Sequence, residues 1–157
     1  MQKITTFLWF DQNALEAANF YVSVFPNAKI ERIAYNTDVT PGPTGSVMTV
    51  VFSLEGQEFI ALNGGPMFKF TPAISLTVNC ETQAEIDRYW QQLTADGGAE
   101  VECGWLTDKF GLSWQIVPSE IEMMISDPDL QKSQRVMAAV MSMKKLDLAL
   151  LRKAYEG

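Results

Sequence analysis

The 157-residue sequence predicts an α+β fold made of two βαβββ modules in tandem, followed by helices. Three observations predict it. Segments with strand and helix patterns occur in the same order twice. The aromatic pair Phe20-Tyr21 recurs 69 positions later as Tyr89-Trp90, at the same point of a helical stretch. Near the end of each half the offset becomes 55, matching Gly56 with Gly111, Phe59 with Trp114 and Ile60 with Gln115. The difference of 14 corresponds to a shorter middle hairpin in the second half. The expected division is module one at 1–66, module two at 72–118 and a helical extension at 119–157, within a single domain of 1–157.

The first element expected is a strand over 4–10, ITTFLWF. A helix follows over 13–25, with Asp11 or Asn13 as cap and Leu15, Ala18, Phe20 or Tyr21 and Val22 as its buried stripe. Pro26-Asn27 stops it. Residues 29–35 form a strand, and TDVTPGPTG is a loop. Strands at 46–54 and 57–63 are joined by the hairpin signal Glu55-Gly56. Module two repeats this with a strand at 73–79 and a helix at 82–95, where Thr82 and Glu85 have capping-box spacing. Asp96-Gly97-Gly98 ends the helix, and short strands near 100–104 and 112–117 follow. In the extension, Ser126-Asp127-Pro128 reads as a cap with proline at the first helical position. Leu130, Met137, Val140 and Met141 form the expected stripe of that helix. Asp147 caps a last helix carrying Leu148, Leu151 and Tyr155 on one face. Met137, Met141 and Met143 supply a soft apolar surface for packing or recognition.

Composition narrows the function. The net charge of −7 disfavours nucleic acid and anionic membranes as partners, since both require clustered Lys and Arg. No stretch approaches the ~20 apolar residues that span a bilayer, and the N-terminal residues show no apolar run with a cleavage site. The two cysteines, Cys80 and Cys103, lack metal spacing, so a soluble cytoplasmic protein with free thiols is expected, a single disulfide remaining open. The sequence contains no histidine, which removes Ser-His-Asp, Cys-His and histidine-based metal chemistry. LNGGPMFKF at 62–70 resembles a phosphate loop in composition. A phosphate loop leads from a strand into a helix, and here the strand AISLTVN follows, so a module crossover is expected instead.

LWFD (8–11), AANFYVSVFPNAKI (17–30), GQEFIALNGGPMFKF (56–70), ISLTVNC (74–80), IDRYW (86–90), CGWLTDKFGLSWQIVP (103–118), SDPD (126–129) and MKKLDLALLRKAY (143–155) resemble the PhnB-like proteins of the vicinal-oxygen-chelate superfamily, which includes glyoxalase and bleomycin-resistance proteins. Some members carry the label demethylubiquinone methyltransferase. The resemblance implies a glyoxalase/bleomycin-resistance-like fold with a concave ligand cavity, and a homodimer. Metal-using relatives draw ligands from the first and last strands of each module. Those positions fall here on Ile4 or Thr6, Ala73 or Ser75, Ile60 and Gln115. Gln115 is the one plausible ligand among them, so no metal and no other cofactor is expected.

Strand alternation sorts residues between faces. Ile74, Leu76 and Val78, with Leu112, Trp114 and Ile116, form the face expected against helices. The other face is then Ala73, Ser75 and Thr77 with Ser113, Gln115 and Val117 in module two. Subtracting 69 and 55 assigns Thr6, Leu8, Glu58, Ile60 and Leu62 to it in module one, with Phe7 and Trp9 opposite. Asn63 and Met67 are placed at the rim, and Trp9, Trp105, Trp114 and Phe68 are aromatic groups for stacking on a flat ligand. The expected function is a metal-independent small-molecule binder with its ligand in the cavity of a dimer. An enzyme using Glu58 as general base is the alternative, with Tyr35, Cys103 and Asp108 as further candidates and Asp108 expected mainly in a hairpin turn. A methyltransferase is a third reading, and a structural dimer module a fourth. The first strand runs into DQNALEA without the glycine loop of common S-adenosylmethionine enzymes, against the third.

Overall fold

A computed structural model describes residues 2–157. The chain divides into two compact units, residues 1–70 and 71–157. Unit 1 runs β1 (Thr6–Phe10), α1 (Ala14–Val24), β2 (Ala28–Tyr35), β3 (Val47–Leu54) and β4 (Gln57–Asn63). Unit 2 runs β5 (Ser75–Cys80), α2 (Gln83–Thr94), β6 (Ala99–Glu100), β7 (Trp105–Thr107) and β8 (Ser113–Pro118), then α3 (Ile121–Ile125), α4 (Leu130–Met141) and α5 (Leu148–Glu156). The sheets have the same topology, β1-β4-β3-β2 and β5-β8-β7-β6. In each, the first strand pairs in parallel with the last, and the remaining pairs are antiparallel. The tandem βαβββ expectation is met.

In unit 1, α1 packs on β2, β3 and β4. Its buried residues are Ala14, Ala17, Ala18, Tyr21 and Val24, so the stripe is rotated from the expected one and uses alanines for close approach. Phe52 stacks between Tyr21 and Phe59, at 6.1 and 5.6 Å between centroids. The hairpin at Glu55-Gly56 has φ of 49° and 84°, the left-handed pair that a two-residue hairpin requires. In unit 2, α2 buries Ile86, Tyr89, Trp90 and Leu93. Thr82 accepts from the Glu85 N–H at 3.2 Å as expected, while the Glu85 carboxylate accepts from Glu81 N–H rather than completing the box. The strand expected at 100–104 is two residues long; 103–104 is a turn with φ of 63° at Cys103 and 82° at Gly104, and β7 begins after it.

The extension differs in detail from expectation. The cap of α4 is Asp129, which accepts from the Gln131 N–H at 3.0 Å, so Pro128 precedes the helix rather than opening it. Its buried side is Ser133, Val136 and Val140, while Leu130, Met137 and Met141 are exposed. Asp147 caps α5 through the Leu150 N–H at 3.1 Å, and Leu148 and Leu151 are buried as expected. Val117, Met124, Val136, Val140, Leu146 and Leu151 form one apolar cluster, which ties the helices to the end of β8.

Both cysteines are free thiols. Burial pushes the Cys80 thiol from 9.0 up to about 12, with Glu85 adding to the shift. An acid whose pKa is raised on folding contributes stability below its unfolded pKa and loses it as pH rises toward the folded value. The stability gap between the native chain and Cys80→Ala is therefore expected to narrow above about pH 9, by at most about 1.4 kcal/mol per pH unit. Urea unfolding of both proteins across that range checks it, and a constant gap would refute it.

Candidate functional site

The face of each sheet away from its first helix is the candidate surface. In unit 1 the parallel register pairs Phe7 with Ile60, Leu8 with Ala61 and Trp9 with Leu62. Partners in register share a face. Leu8, Phe10, Phe59 and Ala61 are buried on the face of the sheet that carries α1. Phe7, Trp9, Glu58, Ile60 and Leu62 lie on the opposite, open face, joined from β3 by Thr49, Val51 and Ser53.

This corrects the placement of Thr6 and Leu8, which belong to the helix-covered face, and of Phe7 and Trp9, which belong to the open one. The cause is one residue. Phe10 and Cys80 end the first strand of each unit, an offset of 70, whereas Ala17, Tyr21 and Val24 match Ile86, Trp90 and Leu93 at an offset of 69. The link from strand to helix is residues 11–13 in unit 1 and residues 81–82 in unit 2. Carrying the helix offset onto the strand slips it by one and exchanges its faces. The signal available in the sequence is the unequal length of those two links.

Trp9 is held on three sides. Its indole N–H donates to the Gly65 carbonyl at 2.9 Å. Phe68 meets it edge-on with centroids 5.0 Å apart. A Cβ on Gly64 would lie 2.4 Å from Trp9 Cε2 and 2.5 Å from Cζ2, so only glycine lets the ring lie against the backbone there. Gly65 has a φ of 95°, and its N–H donates to Asp11 O at 3.2 Å. The segment LNGGPMFKF is thus the cradle of Trp9 as well as the exit from β4. Phe70 packs on Phe10, and Met67 is exposed.

Asn63, expected at a rim, has a structural task. Its Oδ1 accepts from the Ala14 N–H at 2.8 Å and its Nδ2 donates to the Val47 carbonyl at 3.0 Å. It caps α1, for which the Asn13 side chain makes no cap bond. Glu58 is half-buried on the open face. The Gln2 side chain fixes its backbone, accepting from its N–H at 3.2 Å and donating to its carbonyl at 2.8 Å.

In unit 2 the register puts Ser75, Thr77, Ser113 and Gln115 on the face away from α2 as expected, but Ser113 is buried there. Ser75 is level with Ser113, and Thr77 with Gln115, while Trp105 and Thr107 join from β7. Gln115 donates through Nε2 to Ser75 Oγ at 2.9 Å. Val117, two residues beyond Gln115, is covered by the cluster from α3, α4 and α5. Trp114 lies in the core, not on this face, and Ile74 precedes β5 and is exposed. Trp114 Nε1 donates to Asp108 Oδ2 at 2.8 Å, and the N–H groups of Phe110 and Leu112 donate to Oδ1 at 2.8 and 3.1 Å. Asp108 is the buried anchor of the β7–β8 turn, as its hairpin reading anticipated.

Tyr35 is exposed on the edge strand β2, and Cys103 Sγ faces Met141 Sδ at 3.6 Å in unit 2. Among the described residues, no three His, Cys, Asp or Glu side chains gather as a metal-binding set. Of the strand positions carried over for a metal, unit 1 offers Ile60, and unit 2 offers Gln115 and the hydroxyl of Ser75, which are bonded to each other; neither set fits a divalent cation. No helix among the described residues is long and apolar enough to cross a membrane.

The chain matches the family model described as 3-demethylubiquinone-9 3-methyltransferase over residues 2–117. It is similar to a structure from Bacillus cereus described as a putative 3-demethylubiquinone-9 3-methyltransferase, PhnB protein, at 42% identity and a TM-score of 0.67, covering 74% of this chain and 99% of that one. It is also similar to protein PA1353 from Pseudomonas aeruginosa at 21% identity and a TM-score of 0.61, covering 75% of this chain and 98% of that one; at that identity the likeness concerns fold. No curated protein matches. The family match ends at residue 117, so the segments at 126–129 and 143–155 lie outside it.

Gly64→Ala is expected to drive the Trp9 ring out of its cradle and to destabilise the fold by about 1–3 kcal/mol. Acrylamide quenching of tryptophan should increase with it, and an unchanged spectrum and melting point would show that the cradle is not tight.

Proposed function

This chain belongs to the family described as 3-demethylubiquinone-9 3-methyltransferase, and we propose that it is a PhnB-like, metal-independent small-molecule-binding protein of the vicinal-oxygen-chelate superfamily that acts as a cytoplasmic homodimer. The observation that carries this reading is the open face of unit 1. Exposed Phe7 and cradled Trp9 stand beside Ile60, Leu62 and the carboxylate of Glu58. An apolar wall with few polar groups suits an organic ligand. Taken by itself, the corresponding face of unit 2 carries the neutral hydrogen-bonding groups of Ser75, Thr77 and Gln115 beside Trp105, while Ser113 is buried. Two free thiols and a net charge of −7 support a cytoplasmic location away from nucleic acid.

The family's name is a label, not a reaction assigned to this chain. Methyltransferases of the common type set a glycine loop after the first strand of a parallel sheet. Here β1 leads through Asp11-Gln12-Asn13 into α1, and three of the four strands run in antiparallel pairs.

Native mass spectrometry of untagged protein, purified without chelators, tests the proposal. A metal-free dimer that retains an organic molecule is the expected result. A monomer, or a stoichiometric divalent ion, would overturn it.

A second reading has one observation in its favour. Glu58 is a carboxylate on an apolar-lined strand face with its main chain fixed at both polar groups by Gln2. That is a suitable setting for a general base. If the protein is an enzyme by this route, Glu58→Gln should reduce turnover by about 10²-fold or more with the fold intact; full activity in that variant ends the reading.

A further inference from the structure

Within the binder reading, on which this inference rests, the chemistry of unit 1 narrows the class of ligand. The half of the open face made by β1 and β4 carries Phe7, Trp9, Ile60 and Leu62, with Phe68 edge-on to Trp9. Phe7 and Phe68 are each 58% exposed. A ring fixed by a hydrogen bond and a glycine cradle loses little freedom when a ligand stacks on it.

Glu58 is the acidic group of this half, level with Ser53 and two residues from Ile60. Its carboxylate has no hydrogen-bond or ion-pair partner among the described residues. The basic groups of the same face, Lys29 and Arg32, stand on β2, roughly 10 Å away across two strand spacings. Lys29 is paired with Glu31 at 3.7 Å. Lys3 and Lys69, on the segments flanking this half, make no ion pair with Glu58. Aromatic rings attract cations through their π faces, and an unpaired carboxylate attracts them by charge. The apolar strand positions take the remainder of the ligand. From Glu58 to Leu62 the strand spans roughly 13 Å, enough for a fused-ring system lying along it.

We propose that Phe7, Trp9, Phe68 and Glu58 on unit 1 form a binding site for a planar, apolar organic cation. The test is a tryptophan-quenching titration of the full chain with three probes of one shape. They are N-methylacridinium, acridine and acridine carboxylate, at mildly alkaline pH where acridine is neutral. N-methylacridinium should bind about three- to tenfold more tightly than acridine, and the carboxylate most weakly. Glu58→Gln should erase the preference for the cation while leaving acridine binding in place. Trp9→Phe should weaken all three.

Three outcomes overturn the site. One is equal binding of cation and anion. Another is a cation preference that survives Glu58→Gln. The third is no binding of any probe, with sedimentation showing that Phe7→Lys splits a dimer, which would make a second copy the occupant of this face. The first two leave the broader binder reading in place, since it stands or falls on the retained molecule in native mass spectra; the third also removes the face that carries that reading.

Discussion

The parallel pairing of first and last strands is the constraint on which both units depend. Phe7 lies level with Ile60 in one unit, and Thr77 with Gln115 in the other. Because side chains alternate with period two, that register decides every residue shown to the helix and every residue shown away from it. In unit 1 it gives the helix a layer of Leu8, Phe10, Phe52 and Phe59, and gives the open face two aromatic rings. In unit 2 the same pairing leaves a face of small hydroxyls and one amide. Two faces of opposite character thus arise from one topology.

Polar side chains at or beyond the strand ends fix that register. Gln2 occupies both main-chain groups of Glu58 in the manner of an extra strand residue. Asn63 joins the end of β4 to the start of both α1 and β3. Asp108 gathers two backbone N–H groups and the Trp114 indole, so a buried carboxylate is satisfied on both oxygens. In each case one side chain satisfies backbone groups that would otherwise lie unpaired at an element's end.

The helices after residue 117 are attached to unit 2 by similar means. Gln83, in the first turn of α2, donates to the Leu146 carbonyl at 3.1 Å and accepts from the Leu148 N–H at 2.8 Å. Arg135 of α4 donates to the Ala154 and Tyr155 carbonyls at 2.8 and 3.0 Å, which neutralises the end of α5. Cys103 and Gly104 donate their N–H groups to Met143 and Lys144, both at 2.8 Å. The positive φ at Cys103 and Gly104 belongs to that junction, where Leu146 closes to 3.1 Å of a Cβ position on Gly104.

The sequence by itself determined the tandem modules, the Glu55-Gly56 hairpin, the strands of unit 1 to within two residues, the cap at Thr82 and which side of each long unit 2 strand turns away from α2. These follow from local chemistry: turn residues, caps and alternation act over a few positions. Tertiary structure decided the rest. The faces of β1 turned on one additional residue in the link to α1, which alternation within the strand cannot register. The cap of α1 came from Asn63, 49 positions away, because the side chain at Asn13 makes no such bond. Of the stripe expected on α4, Val140 is buried but Leu130, Met137 and Met141 are exposed, because the buried side passes through Ser133, whose hydroxyl is bonded to the Leu130 carbonyl at 3.1 Å. Which side of an amphipathic element faces inward is set by what packs against it, and that partner lies elsewhere in the chain.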